Sequence, residues 1–414
     1  MLNPYRKELT ADDAAHLLAR TAFGGTNETI SRFIGLDADT AFRNLSAQES
    51  QKTENPFDPQ DAINVNAAIK ITQMHWLFEM IHSPQPFREK LAFFWHNHFP
   101  VGIDKVRFPN ALLGYLDVLR RFELGRFSEL TTEIARTPAM LRYLDNDQNV
   151  KGKPNENFAR ELFELFTLGI GHYTEKDIQE AARAFTGWTF RRLKKKDIEA
   201  EAEFIFQKNK HDGGTKTILG KTGNLSGEDV IEMATAHPQT AQFLSRKIWT
   251  FFISPNPSPE QIEALSDVWR GSSGNLEEIF RVVFTSEVFF THKKTLIKSP
   301  LDFVVGALRG LNFPVQEEKF YRNVLQVLTG LGHAPFDPPN VSGWEGGRSW
   351  ISDGALLTRT QLAATITMNK RITEKNLSLA LLGQDKSPLT GLLGHLTANQ
   401  QAYLMLVSPE FNLL

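Results

Sequence analysis

The run Asn155-Glu156-Asn157-Phe158-Ala159-Arg160-Glu161-Leu162-Phe163-Glu164-Leu165-Phe166-Thr167-Leu168 decides the class of the fold. Leu162, Phe163, Leu165 and Phe166 form an apolar side at helical spacing, while Asn157, Glu161, Glu164 and Leu168 follow the 4-3-4 rhythm of an adjacent face. The spacing predicts a helix over 155–168, with Pro154 in its first turn and Glu156 at the positive end of its dipole. Arg160 can pair with Glu156 or Glu164 at four-residue spacing.

The same recurrence of apolar residues runs outward in both directions, most clearly over 67–81, 87–99, 175–185, 227–236, 259–269, 276–284 and 301–311. The expected fold is all-α, a multi-helix assembly read as one helical domain over 1–414. The exception is 186–223. There Phe204-Ile205-Phe206 and Thr215-Lys216-Thr217-Ile218-Leu219 flank Lys210-His211-Asp212-Gly213-Gly214, and a β-hairpin is expected because Asp-Gly-Gly supplies positive-φ turn residues. The insertion begins with the basic run Arg191-Arg192-Leu193-Lys194-Lys195-Lys196, which reads as a solvated tip or as a contact for an acidic partner. The polar stretch 48–61, with two prolines, reads as a surface loop.

Composition narrows the chemistry. The 46 Lys+Arg against 48 Asp+Glu leave a formal charge of -2, which argues against a surface built to coat phosphates, so nucleic acid is not expected as a partner. An apolar share of 41% and a charged share of 23% suit an ordinary globular core. The chain has no cysteine, which removes disulfides, thiolate metal sites and cysteine nucleophiles. Charges interrupt every long apolar stretch, so no transmembrane segment is expected. The start, Met1-Leu2-Asn3-Pro4-Tyr5-Arg6-Lys7, has no apolar export signal, so the chain as written is expected in the cytoplasm.

Two clusters could carry chemistry. Phe94-Trp95-His96-Asn97-His98-Phe99-Pro100 closes one helix. Residues two apart point to nearly opposite sides, so His96 and His98 share a metal only if the last turn unwinds toward Pro100; the plainer reading makes at least one of them structural, its imidazole bonded to a carboxylate or carbonyl. The second cluster is Asp145-Asn146-Asp147-Gln148-Asn149-Val150-Lys151-Gly152-Lys153-Pro154-Asn155-Glu156-Asn157. It holds more amide and carboxylate groups than turning or capping requires, which points to a ligand or metal site, against the plainer reading of an exposed ion-pair stripe. Thr174 with Asp177 is explained as a helix cap, and Glu180 with Arg183 as a structural pair.

These motifs, together with Ala14-Ala15-His16-Leu17-Leu18-Ala19-Arg20-Thr21-Ala22-Phe23-Gly24, 181–188, His211-Asp212 and Pro338-Pro339-Asn340-Val341-Ser342-Gly343-Trp344, closely resemble the bacterial family known as domain of unknown function 1800. The most specific of them is the stretch from Asn149 to Leu162. The resemblance covers nearly the whole chain and brings no established activity with it. It implies export for many members, so a periplasmic location is the alternative to the cytoplasm.

The leading expectation is a metal-dependent hydrolase whose cleft is lined by His96, His98, Asn157, Glu161 and Glu164. His96 or His98 with Glu161 would hold a divalent metal ion, Glu164 would act as general base and Arg160 would stabilise charge. A second reading makes Glu161 and Glu164 an acid–base pair acting on a carbohydrate stacked against Trp95, Trp188 and Trp344. A third is a non-enzymatic binding or assembly module, with Asn149, Asn155 and Asn157 among the residues contacting a small-molecule ligand.

Overall fold

Helices form where the apolar spacing places them and stop where capping chemistry ends them. The computed structural model describes residues 2–47, 53–192, 202–368 and 372–414. The chain is mainly helical, with two small antiparallel sheets of two strands each. Helix α1 (Val65–His82) starts at Asn64, whose side chain accepts the N–H of Ala67. Helix α2 (Pro86–His98) opens on a proline and ends just before Pro100, which cannot extend it. Helix α3 (Pro109–Phe122) follows.

The segment 155–168 is not one regular helix. A short α4 (Asn157–Glu161) passes into a π-helical stretch, Leu162–Thr167, in which Thr167 Oγ1 donates to the carbonyl of Leu162 at 2.5 Å. Asn155 Oδ1 accepts the N–H of Asn157, so Pro154 lies ahead of the helix rather than in its first turn. The wider π-turn also breaks the predicted 4-3-4 face: Leu168 is buried while Glu161 and Glu164 are half-exposed.

Helix α5 (Glu175–Ala184) carries the expected cap, with Thr174 and Asp177 each bonding the other's backbone N–H. Next come β1 (Trp188–Arg192), β2 (Ala202–Phe206), β3 (Lys216–Ile218) and β4 (Lys221–Gly223). The expected pairing of 204–206 with 215–219 is not formed. Instead β2 pairs with β1, setting Trp188 opposite Phe206 and Arg191 opposite Glu203, and β3 pairs with β4. Leu219 and Gly220, both at positive φ, make the tight hairpin turn. Asp212 is not free to turn a hairpin because Arg183 grips both its oxygens, at 2.8 and 3.2 Å. Of the basic run, Arg191 pairs with Glu203 across the strands, and residues 193–196 lie outside the described residues. Of the expected surface loop 48–61, the described residues 53–61 are irregular apart from a short turn at Pro59–Asp61, with Phe57 buried against Phe78 and Tyr321; residues 48–52 lie outside the described residues.

Helix α6 (Pro238–Phe252) and helix α7 (Pro300–Gly310) complete the frame of the site. One buried apolar cluster runs from Leu9 to Phe411. Helix α1 packs on α2, α3 and α7. Phe94 of α2 meets Phe251 and Phe252 of α6 at ring-centroid distances of 5.0 and 5.3 Å, edge-on or tilted, as aromatic quadrupoles prefer. That contact fixes α2 beside α6. No helix among the described residues is long and apolar enough to cross a membrane.

Candidate functional site

A concavity of about 440 Å³ is lined by residues of α2 and α6, including the contacting Phe94 and Phe251. Helix α2 contributes Lys90, Phe93, Phe94 and Asn97, spaced so that all four share one face, and His98 beside them. Helix α6 contributes Lys247, Thr250 and Phe251 by the same rule. The start of α7 supplies Ser299 and Asp302, and the segment after 330 supplies His333, Trp344 and Trp350.

The polar groups at the base are committed to one another. Asp302 is buried and receives the ammonium of Lys90, while Ser299 Oγ donates to its other oxygen at 2.7 Å. Burial alone would raise the Asp302 pKa, but the Lys90 charge and these hydrogen bonds outweigh it and hold the carboxylate ionised. His333 accepts the N–H of Leu301 through Nδ1 and stacks on Trp350 at 4.5 Å, and burial holds it neutral with a pKa of about 3. Asn97 Oδ1 accepts the N–H of Trp344 at 2.7 Å, which ties the 340–350 segment to α2. At Gly343 a Cβ would come within 2.4 Å of the Asn97 carbonyl oxygen, so only glycine allows this approach.

Lys247 differs from these groups. Its ammonium donates to His98 Nδ1 and to the carbonyl of Leu165, each at 3.1 Å, and it forms no ion pair among the described residues. His98 Nε2 in turn donates to the carbonyl of Phe166 at 3.0 Å. Both acceptors of Lys247 are neutral and use two of its three N–H groups, and the Phe243 ring lies 4.8 Å from the nitrogen, so one N–H has no hydrogen-bond acceptor. Desolvation, uncompensated by a carboxylate, lowers the Lys247 pKa to about 8.

The structure separates the residues expected to share a metal. His98 has both ring nitrogens in hydrogen bonds. Tyr115 Oη donates to the Phe99 carbonyl at 2.6 Å and accepts His96 Nδ1–H at 3.1 Å, which leaves His96 Nε2 buried and unpartnered among the rings of Trp76, Phe336 and Trp344. The π-helical segment does reach the end of α2, where Phe166 packs on Phe99 at 5.1 Å, but among the described residues Glu161 forms no hydrogen bond or ion pair with either imidazole. Among the described residues no group of three or more His, Asp or Glu is arranged to hold a metal ion. The ligand set His96, His98 and Glu161 is therefore not assembled, and no step is derived through a metal.

Glu164 accepts the hydroxyl of Tyr173 at 2.8 Å, and the Glu161 pKa is raised by burial first and by the Glu164 charge second. Neither carboxylate lines the cleft. Arg160 pairs with Glu156 and Glu175, not Glu164. Trp95 is fully buried with its N–H on the carbonyl of Glu123, and Trp188 is buried between Phe185 and Phe204, so neither can stack on a ligand; Trp344 does line the cleft.

The asparagines of the amide-rich loop are satisfied, although Asp147, paired with Arg142 through one oxygen, keeps its other oxygen buried without a partner. Asn149 is buried and donates to Asn146 Oδ1 and the carbonyl of Ala182, while its Oδ1 takes the N–H of Asn155. Asn155 and Asn157 both reach Asp145, at 3.4 Å each. Asn146 reaches the carbonyl of Trp188, and Lys151 N–H the carbonyl of Lys210, so the loop fastens the end of α5 and the β insertion to the helices.

Sequence reasoning missed Lys90, Lys247, Asp302, His333 and Trp350. The signal for Lys247 was its place between Phe243 and Phe251, four residues away on either side, on an otherwise apolar helix face.

A family model described as protein of unknown function (DUF1800) matches residues 16–413. No curated protein and no solved structure matches the chain. The chain belongs to that family.

Proposed function

We propose that this member of an uncharacterised family uses the cleft between α2 and α6 to bind a small anionic molecule with a ring, such as an acidic sugar. One observation carries the reading: Lys247 holds a positive charge at the cleft wall, supported by two neutral acceptors and left with an unused donor. A ligand carboxylate would supply the missing counter-charge through a charge-assisted hydrogen bond. Trp344 and Trp350 give flat apolar walls suited to a ring face, and about 440 Å³ suits a small ligand. Recognition is favoured over hydrolysis because Asp302 and His98 are already spent on neighbouring groups.

Calorimetric titration with glucuronate and with glucose tests this. A charge-assisted bond is worth about 1.5–3 kcal/mol, so glucuronate is expected to bind at least about tenfold more tightly than glucose, and Lys247→Met to erase the difference. Equal binding of the two sugars, or full glucuronate affinity in Lys247→Met, would overturn the proposal.

A further inference from the structure

A second, smaller cavity of about 40 Å³ lies on the other side of the 296–299 segment, away from the cleft. Three lysines, Lys293, Lys294 and Lys298, line it, together with Asp12 and four glycines. Two of the lysines are accounted for: Lys293 pairs with Asp13 at 2.5 Å, and Lys294 donates to the carbonyl of Glu410 at 3.1 Å. The Asp12 carboxylate is engaged by the N–H of Asp385 at 2.9 Å.

Lys298 is 5% exposed; its backbone bonds Asn412 and Arg359, but its ammonium makes no hydrogen bond or ion pair among the described residues. Its ammonium lies 3.4 Å from the ring centroid of Phe411. One ring face offsets part of the cost of burying a cation and leaves its N–H donors unused. Burial first, and then the charges of Lys294, Arg359 and Lys90, push the Lys298 pKa well below its ordinary value, and Arg20 acts the same way on Lys294, so an anion seated here would supply the counter-charge that both ammonium groups lack. The nearby buried carboxylate, Asp302, is already held by Lys90. Glycines keep the space open: a Cβ at Gly306 would lie 3.8 Å from the Lys298 ammonium, and one at Gly383 3.9 Å from that of Lys294.

We propose that this cavity binds a small monovalent anion of chloride size between Lys298 and Lys294. Its volume corresponds to about three water positions, which is room for a halide. The inference is independent of the ligand proposed for the cleft.

The test is thermal melting of the whole protein at constant ionic strength while chloride replaces gluconate. The expected result is a saturable rise in Tm with chloride and with bromide. Sulfate should stabilise without saturation, as an excluded salt does. Lys298→Met and Lys298→Gln should remove the saturable part. In crystals of the wild-type protein soaked in bromide, an anomalous peak is expected beside Lys298 Nζ, a readout that does not depend on either variant folding. Superimposable chloride and gluconate curves, a saturable step that survives in the variants, or no bromide peak in the cavity would each overturn the inference.

Discussion

The loop from Asp145 to Asn157 and the cleft between α2 and α6 hold polar groups in opposite states. The loop crowds its polar groups into consecutive positions, yet its asparagine amides are spent on backbone and on neighbouring side chains, from Asn149 on Asn155 and Ala182 to Asn157 on Asp145. The cleft gathers its polar groups from separate helices and segments, and one of them, Lys247, has a donor left over. Density of polar residues therefore measures how much backbone a segment must satisfy, whereas unspent hydrogen-bonding capacity marks where a ligand can gain something.

The sharpest way to break this contrast is to remove a committed group. Lys90→Met leaves the buried Asp302 charge without its cation and is expected to cost about 3–5 kcal/mol in chemical denaturation. Adding Asp302→Asn should recover part of the loss; a single variant as stable as wild type would show that the pair is not structural. In the loop, Asn149→Ala strands the N–H of Asn155 and two acceptors, and at about 1–3 kcal/mol for a buried group left unsatisfied it should cost at least about 2 kcal/mol. Ligand affinity at the cleft should be unchanged in that variant at temperatures where it is folded. Lost affinity with intact stability would return the loop to the site.

Lys247 sharpens the contrast through pH. Binding an anion needs the ammonium, and with the Lys247 pKa at about 8 the protonated fraction falls roughly tenfold between about pH 7 and about pH 9. Glucuronate affinity should weaken by about that factor. Lys247→Arg, which stays charged, should flatten the profile, and a wild-type profile already flat would detach Lys247 from the ligand.

The smallest effect is expected at Glu161. Its folded pKa is raised, by burial and then by Glu164, so the folded state holds the proton more tightly than the unfolded chain does. Stability is therefore greatest below the unfolded value, declines as pH rises through the window up to the folded value, and then levels off. Glu161→Gln should abolish that decline and make the variant more stable above the window by less than about 1 kcal/mol, since the side chain is half-exposed. A destabilised variant, or one that loses glucuronate binding, would place Glu161 closer to function than the geometry does.

Much of the helical frame was legible because apolar spacing is a local property. The helices 227–236 and 276–284 end where the spacing ends, and the Thr174–Asp177 cap forms as its residue types require. Strand pairing was not legible, because whether 204–206 joins β1 or β3 depends on Arg183 holding Asp212 from another helix. The site was misplaced for a related reason. His96, Asn97 and His98 are consecutive, yet they reach Tyr115, Trp344 and Phe166 on three separate segments. A motif that looks like a ligand set is a three-way fastening. Lys90 and Asp302, 212 positions apart, carry no mutual signal in a single sequence.

The π-helical turn at Leu162–Thr167 has a consequence for how the cleft stays charged. A π-turn accommodates one residue more than an α-turn, the mark of a single-residue insertion. Its end presents the carbonyls of Leu165 and Phe166, which receive Lys247 and His98. Partial charges at a helix end steady a lysine without neutralising it, as a carboxylate would, so the formal charge stays available to a guest. Deleting one residue of that turn would swing both carbonyls by about 100° while leaving every side chain of the cleft wall in place. The anion preference proposed for the pocket thus depends on backbone length, and a variant with one residue removed from that turn should keep the walls and lose any selectivity for anions.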